Sequence, residues 1–205
     1  APGLNLDPAA LNQVRHHSVL GHGLAVQAIR AMGRPGTRVG PAENMNIAVP
    51  VVETAENVKA AEALTRAMNA PYLAPILEGK YSDVYLAEAG KDAPKFTDED
   101  MRIIGTPLDF VGINLYRPST YVTVAQQGYR IVPENASHPK MAAPWQLLGP
   151  EVLYWGPRLL HSIWNVKDMD EALAWAKKSP MPDIVRRRIR RVVRARSSDS
   201  IQPRL

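Results

Sequence analysis

The sequence contains no cysteine, which excludes disulfides and thiolate metal sites and fits a cytoplasmic protein. No apolar run approaches the roughly 20 residues that a membrane span needs, so no membrane association is expected. A signal-peptide pattern is also missing from the first residues. Residue 1 is Ala rather than Met, so the start is expected to be processed or cut. No internal repeat is present, which sets aside stacked-repeat architectures.

The 205 residues, 45% hydrophobic and 22% charged, have the composition of an ordinary globular protein with room for a sizeable core. Net charge is +5, but it is not evenly spread. Residues 165–205 hold eleven Lys and Arg against five acids, whereas residues 1–164 hold fourteen basic and fifteen acidic side chains. The basic character therefore belongs to the tail.

Asp7 is a good N-cap and Pro8 fits the first helical position. Leu11, Val14, Leu20, Leu24, Val26 and Ile29 then recur at helical spacing until Gly33, which predicts a long amphipathic helix. Residues 38–50 read as a strand, weakened by Pro41. Thr54 and Asn57 open a helix carrying Val58, Ala61, Leu64 and Met68. Residues 69–95 read as loop-rich, with short helical pieces near Leu73–Leu77 and Tyr85–Ala89. Thr97 and Asp100 start another short helix that ends near Gly105. A strand over 108–115 follows, then an irregular excursion with a hairpin through Tyr121–Val124 and Tyr129–Val132. A last body helix begins at Pro150-Glu151 and runs through Trp164, and residues 166–178 carry a separate helical pattern. Helices alternating with strands imply parallel α/β architecture.

Within this order, several segments resemble glycoside hydrolase family 1, typified by bacterial β-glucosidases. "HHSVLGHGLAVQAIR" is similar to the helix behind the family's acid/base strand, and "RVGPAENMNIAVP" to its fifth strand. "EDMRIIGTPLDFVGINLYRPSTYV" resembles the sixth strand and is the most specific piece, while "PWQLLGPEVLYWGPRLLHSIW" resembles the segment after it. The resemblance covers residues 1 to about 164. It implies a partial (β/α)8 TIM barrel, about strands 5 and 6 with their flanking helices, followed by an unrelated helical and Arg-rich tail over 165–205. Barrels of this kind keep their sites at the C-terminal ends of the strands. By resemblance, Tyr116 supports the nucleophilic carboxylate, Asn44 and Asn114 face the substrate, and Trp145 walls the aglycone side. Pro41 and Glu43 depart from the apolar residues usual in strand five. One extra residue between Trp145 and Pro150 leaves the pose of Trp145 open.

Retaining glycosidases need two carboxyl groups about 5 Å apart, one to protonate the leaving oxygen and one to attack the sugar. The family takes them from Asn-Glu-Pro and Thr-Glu-Asn-Gly motifs, and neither occurs in this sequence. Glu43-Asn44 and Glu134-Asn135 only echo them. If Asn44 faces the barrel interior, alternation sends Glu43 to the helix side, and Glu134 sits in a Pro-flanked irregular stretch. The expectation is a β-glucosidase-like hydrolase segment acting on β-glucosides without cofactor and inactive alone; whether another chain completes the barrel is left open by the sequence.

Other readings carry less. His17 and His22 are five apart with no acid at matching spacing, so no metal site is expected. Trp155 and Trp164 read as core. The tail's eight arginines could serve a non-catalytic interaction protein that binds an acidic partner. No aromatic residue interleaves with them for base stacking, so a solvated appendage is preferred to nucleic-acid binding.

Overall fold

The computed structural model describes residues 4–114, 120–133 and 150–166, with side chains of the last segment from 155 onward. Tyr116, Glu134, Trp145 and the tail from 167 lie outside the described residues. Contacts divide the chain into two units, one from Ala1–Asn46 with Ala63–Asn114 and the other from Ile47–Glu62 with Leu115–Leu205.

In the first unit, helix α1 (Pro8–Met32) starts where the sequence places it, with the Asp7 side chain accepting from the Ala10 N–H at 2.7 Å. It ends as the Gly33 N–H donates to the Ile29 carbonyl. Its buried residues Val19 and Val26 face inward, and Gly23 lies against the backbone of Ile103 and Ile104. Those residues belong to helix α4 (Asp98–Ile104), which Thr97 and Asp100 open with a reciprocal capping box. Between α1 and α4 come β1 (Ala42–Asn44), β2 (Ala48–Pro50), α2 (Ala55–Glu78) and α3 (Asp83–Ala89), then a 3-10 turn over Gly90–Asp92. Val19, Ile76, Tyr81, Met101 and Ile104 form a shared core. Strand β3 (Gly112–Asn114) pairs parallel with β1.

In the second unit, β2 pairs parallel with β4 (Thr120–Thr123), which pairs antiparallel with β5 (Arg130–Ile131). This is the expected hairpin. Helix α5 (Pro150–Trp164) packs on β2. Trp155 is 5% exposed and Leu159 1%, so Trp155 is core, as its place on the last body helix suggests. Asn57 ties the start of α2 to β4: its Oδ1 accepts from the Val124 N–H at 2.9 Å and the Thr123 hydroxyl at 3.0 Å.

Three expectations need correction. The strand expected over 108–115 is, among the described residues, confined to β3, Gly112–Asn114. The helical piece at Leu73–Leu77 is not separate from the helix before it, because α2 runs unbroken through Pro71 and Pro75 to Glu78. An interior proline costs a helix about 3 kcal/mol, but Ala70, Leu73, Ala74 and Ile76 are all at most 5% exposed. Burying such side chains offsets costs of that size, at roughly 1.5–3 kcal/mol for each large one. The single strand expected over 38–50 is instead two short strands. At Asn46 both backbone groups bond the Asn69 side chain rather than a neighbouring strand, so the ladder breaks there. Among the described residues the sheets are short and parallel pairing dominates, with no closed barrel.

Candidate functional site

The C-terminal ends of β1 and β3 bring two of the sequence-predicted residues together. Their pairing sets Ala42 opposite Gly112, Glu43 opposite Ile113, and Asn44 opposite Asn114. Residues opposite one another in a parallel pair share a face, so both amides stand side by side at the strand ends. Asn44 is exposed and Asn114 half-buried. The Asn114 Nδ2 points toward the Ala42 carbonyl at 3.4 Å, and the Met45 N–H donates to the Asn114 carbonyl at 3.0 Å. Each amide offers one acceptor oxygen and two N–H donors, which suits hydroxyl-rich ligands.

Close approach of the two strands depends on absent side chains. A Cβ on Gly40 would lie 2.0 Å from the Phe110 carbonyl oxygen, and one on Gly112 would lie 3.1 Å from the Pro41 oxygen. Pro41 stands just before β1, where its carbonyl accepts from the Gly112 N–H at 2.7 Å and its missing N–H breaks no ladder bond.

Two positioning residues escape sequence reasoning. Asn69 is 4% exposed, and its Nδ2 donates to the Asn46 carbonyl at 2.8 Å while its Oδ1 accepts from the Asn46 N–H at 3.0 Å. It thereby fixes the turn that follows Asn44. An Asn in a helix interior is unfavourable unless its side chain finds work, and that was the available signal. Asp109 accepts from the Val39 N–H at 2.7 Å and pairs with Arg30 at 3.0 Å. The Val39 bond and the Arg30 guanidinium hold its carboxyl below the usual range.

Glu43 alternates to the face opposite Asn44, where burial raises its pKa above 4.5. With the native pKa above the unfolded one, stability falls as pH rises through that interval. Glu43→Gln is therefore expected to raise the thermal midpoint at pH 7, with the gain vanishing below the ordinary carboxylate range. A lower midpoint at pH 7 would refute this. Among the described residues no group of three His, Asp or Glu side chains is placed to hold a metal, and no helix is long and apolar enough to cross a membrane.

A family model described as glycosyl hydrolase family 1 matches residues 1–192. A 1,4-β-D-glucan glucohydrolase of Thermotoga neapolitana is 30% identical over 156 residues, covering 76% of this chain and 36% of that protein. A β-glucosidase of Agrobacterium sp. is 31% identical over 154 residues, covering 73% of this chain and 33% of that protein. Among solved structures, the virulence factor SghA from Agrobacterium tumefaciens aligns with a TM-score of 0.62 at 26% identity, over 82% of this chain and 38% of that one. A β-glucosidase from Thermotoga maritima in complex with glucoimidazole aligns with a TM-score of 0.58 at 27% identity, over 81% and 37%. The chain thus spans about a third of the length of the curated relatives it matches.

Proposed function

The chain belongs to glycosyl hydrolase family 1, and from that premise we propose that it is a segment of a retaining β-glucosidase. The observation that carries this reading is the alignment of Asn44 with Asn114 at the C-terminal ends of two parallel strands, where barrels of this class build their sites. In the complete barrel these amides bond substrate hydroxyls. Tyr116, two residues beyond Asn114, donates a hydrogen bond to the nucleophilic carboxylate, and Trp145 walls the aglycone side. Cleavage requires one carboxyl group to attack the anomeric carbon and a second to protonate the departing oxygen, then to activate the water that releases the sugar. Glu43 faces away from the amides, and neither family motif that supplies those groups is present. These 205 residues alone are therefore inactive, and hydrolysis requires the remaining strands together with both carboxyl groups.

Purified chain incubated with an aryl β-glucoside is expected to show no turnover. Mixing it with a chain carrying the remaining strands and both carboxylates should restore hydrolysis, and Tyr116→Phe should lower kcat in that mixture by about 10–100-fold. Turnover by the chain alone that disappears in Glu43→Gln or Glu134→Gln would overturn the proposal.

The segment 165–205 is proposed as an appendage to the 1–164 body. The family match extends to residue 192, so this boundary rests on composition. The concentration of arginines supports a second reading, in which the tail binds an acidic partner. Salt-sensitive retention on heparin, lost on deleting residues 184–205, would favour it.

A further inference from the structure

One buried polar cluster lies outside the proposed site. His16, on α1, is 2% exposed, and Tyr81, just before α3, is 4% exposed. The His16 Nδ1 lies 3.1 Å from the Tyr81 hydroxyl, and its Nε2 lies 3.7 Å from the Asp100 Oδ2. That same Oδ2 accepts the Thr97 N–H at 2.7 Å, which is one half of the capping box that starts α4. The rings of His17, Tyr81 and Phe96 surround the imidazole. Val19, Met101 and Ile104 close the core around Tyr81.

The arrangement suits a neutral imidazole better than a protonated one. An ionised Asp100 can only accept, so Nε2 carries the hydrogen and Nδ1 accepts the Tyr81 proton. A second proton would turn Nδ1 into a donor. Tyr81 would then have to reverse its hydroxyl among apolar neighbours, and an imidazolium would be left with little water. Asp100 could approach to neutralise it only by drawing Oδ2 away from Thr97.

We propose that His16, Tyr81 and Asp100 form an acid-sensitive latch that ties α4 to α1 and releases the start of α4 when the imidazole takes up a proton. The consequence reaches the proposed site through the chain, because residues 105–111 lead directly from α4 into β3 and Asn114. The titratable groups facing His16 are Asp100 from α4, Tyr81 with Tyr85 behind it, and His17 on its own helix. Burial lowers the His16 pKa, and the Asp100 charge only partly offsets it. The Thr97 bonds lower that of Asp100, and burial raises that of Tyr81. With the native His16 pKa below the unfolded one, its stabilisation is complete above about pH 6.5 and is lost as pH falls through the native value.

Amide hydrogen exchange of the full chain, followed at Met101–Gly105 and expressed as protection factors between pH 7.5 and 4.5, tests this. Wild type should lose protection in one step below pH 6.5, and His17→Gln should leave that step in place. The step should disappear in His16→Gln. Tyr81→Phe removes the donor to the neutral ring and should move the step up, whereas Asp100→Asn removes the counter-charge and should move it down, each by roughly 0.5–1 pH unit. These opposite shifts decide the matter even if His16→Gln does not fold. Shifts in the same direction, a step surviving in His16→Gln, or no protected α4 amide at pH 7.5 would each overturn the latch.

Discussion

Gly23→Ala is expected to destabilise the first unit by about 2–3 kcal/mol, at the upper end of the usual range for overpacking a closed contact. The added Cβ would lie 2.4 Å from the Ile103 carbonyl oxygen, 2.7 Å from its carbonyl carbon and 2.9 Å from the Ile104 Cα. All three are backbone atoms of α4, so no side chain can swing aside. Helices α1 and α4 would have to separate, and Val19, Met101 and Ile104 would lose their shared core. In an exposed helix interior the same change stabilises by up to about 1 kcal/mol, because alanine is the better helix former. The sign thus reports whether the contact exists. Gly21 on the same helix has open space around its missing Cβ, and Gly21→Ala serves as the matched control. Equal midpoints for both variants in urea unfolding would refute the close approach of α1 and α4.

Asn69→Ala is expected to cost about 3 kcal/mol and to loosen the turn after β1. The Asn69 side chain satisfies both the N–H and the carbonyl of Asn46, and it also donates to the Thr65 carbonyl at 2.6 Å within its own helix. Removing it strands two backbone groups in a part-buried setting, and each unsatisfied group costs roughly 1–3 kcal/mol. The better helix propensity of alanine returns only about 0.7 kcal/mol. Faster amide exchange at Asn46 should accompany the lower unfolding midpoint. A stability loss below about 1 kcal/mol, with Asn46 exchange unchanged, would show that water replaces the amide without penalty.

Local chemistry was the legible part of this fold. Asp7-Pro8, Gly33 and the Thr97–Asp100 pair act within one helical turn, so their residue types alone place the ends of α1 and α4. The β4–β5 hairpin also falls where the sequence places one, through Tyr121–Val124 and Tyr129–Val132. The two halves of α2 are legible but not their continuity, because Pro71 and Pro75 are local breakers, whereas the burial of Leu73, Ala74 and Ile76 that keeps the helix intact is a tertiary fact. The split between β1 and β2 has the same origin, since the side chain that interrupts the ladder lies 23 residues away. In the site, Asn44 and Asn114 came from family likeness together with strand alternation, and the structure sets them face to face. Asn69 and Asp109 left almost no trace in the sequence, because each bonds the backbone of a residue distant in the chain. The setting of His16 is not legible either, because its partners, Tyr81 and Asp100, are a phenol and a carboxylate supplied by other elements.

The pairing of Asn44 with Asn114 also constrains how this segment can change length. Adding or deleting one residue between Ile104 and Gly112 would bring Ile113 or Leu115 level with Asn44 and turn the amide to the other side of the sheet. The Ala125–Gly128 turn, by contrast, carries only a hairpin tip, and its Gly128 N–H closes back on the Ala125 carbonyl. Insertions and deletions in working descendants of this sequence should therefore gather in that turn, while the run from Gly105 to Val111 keeps its seven residues.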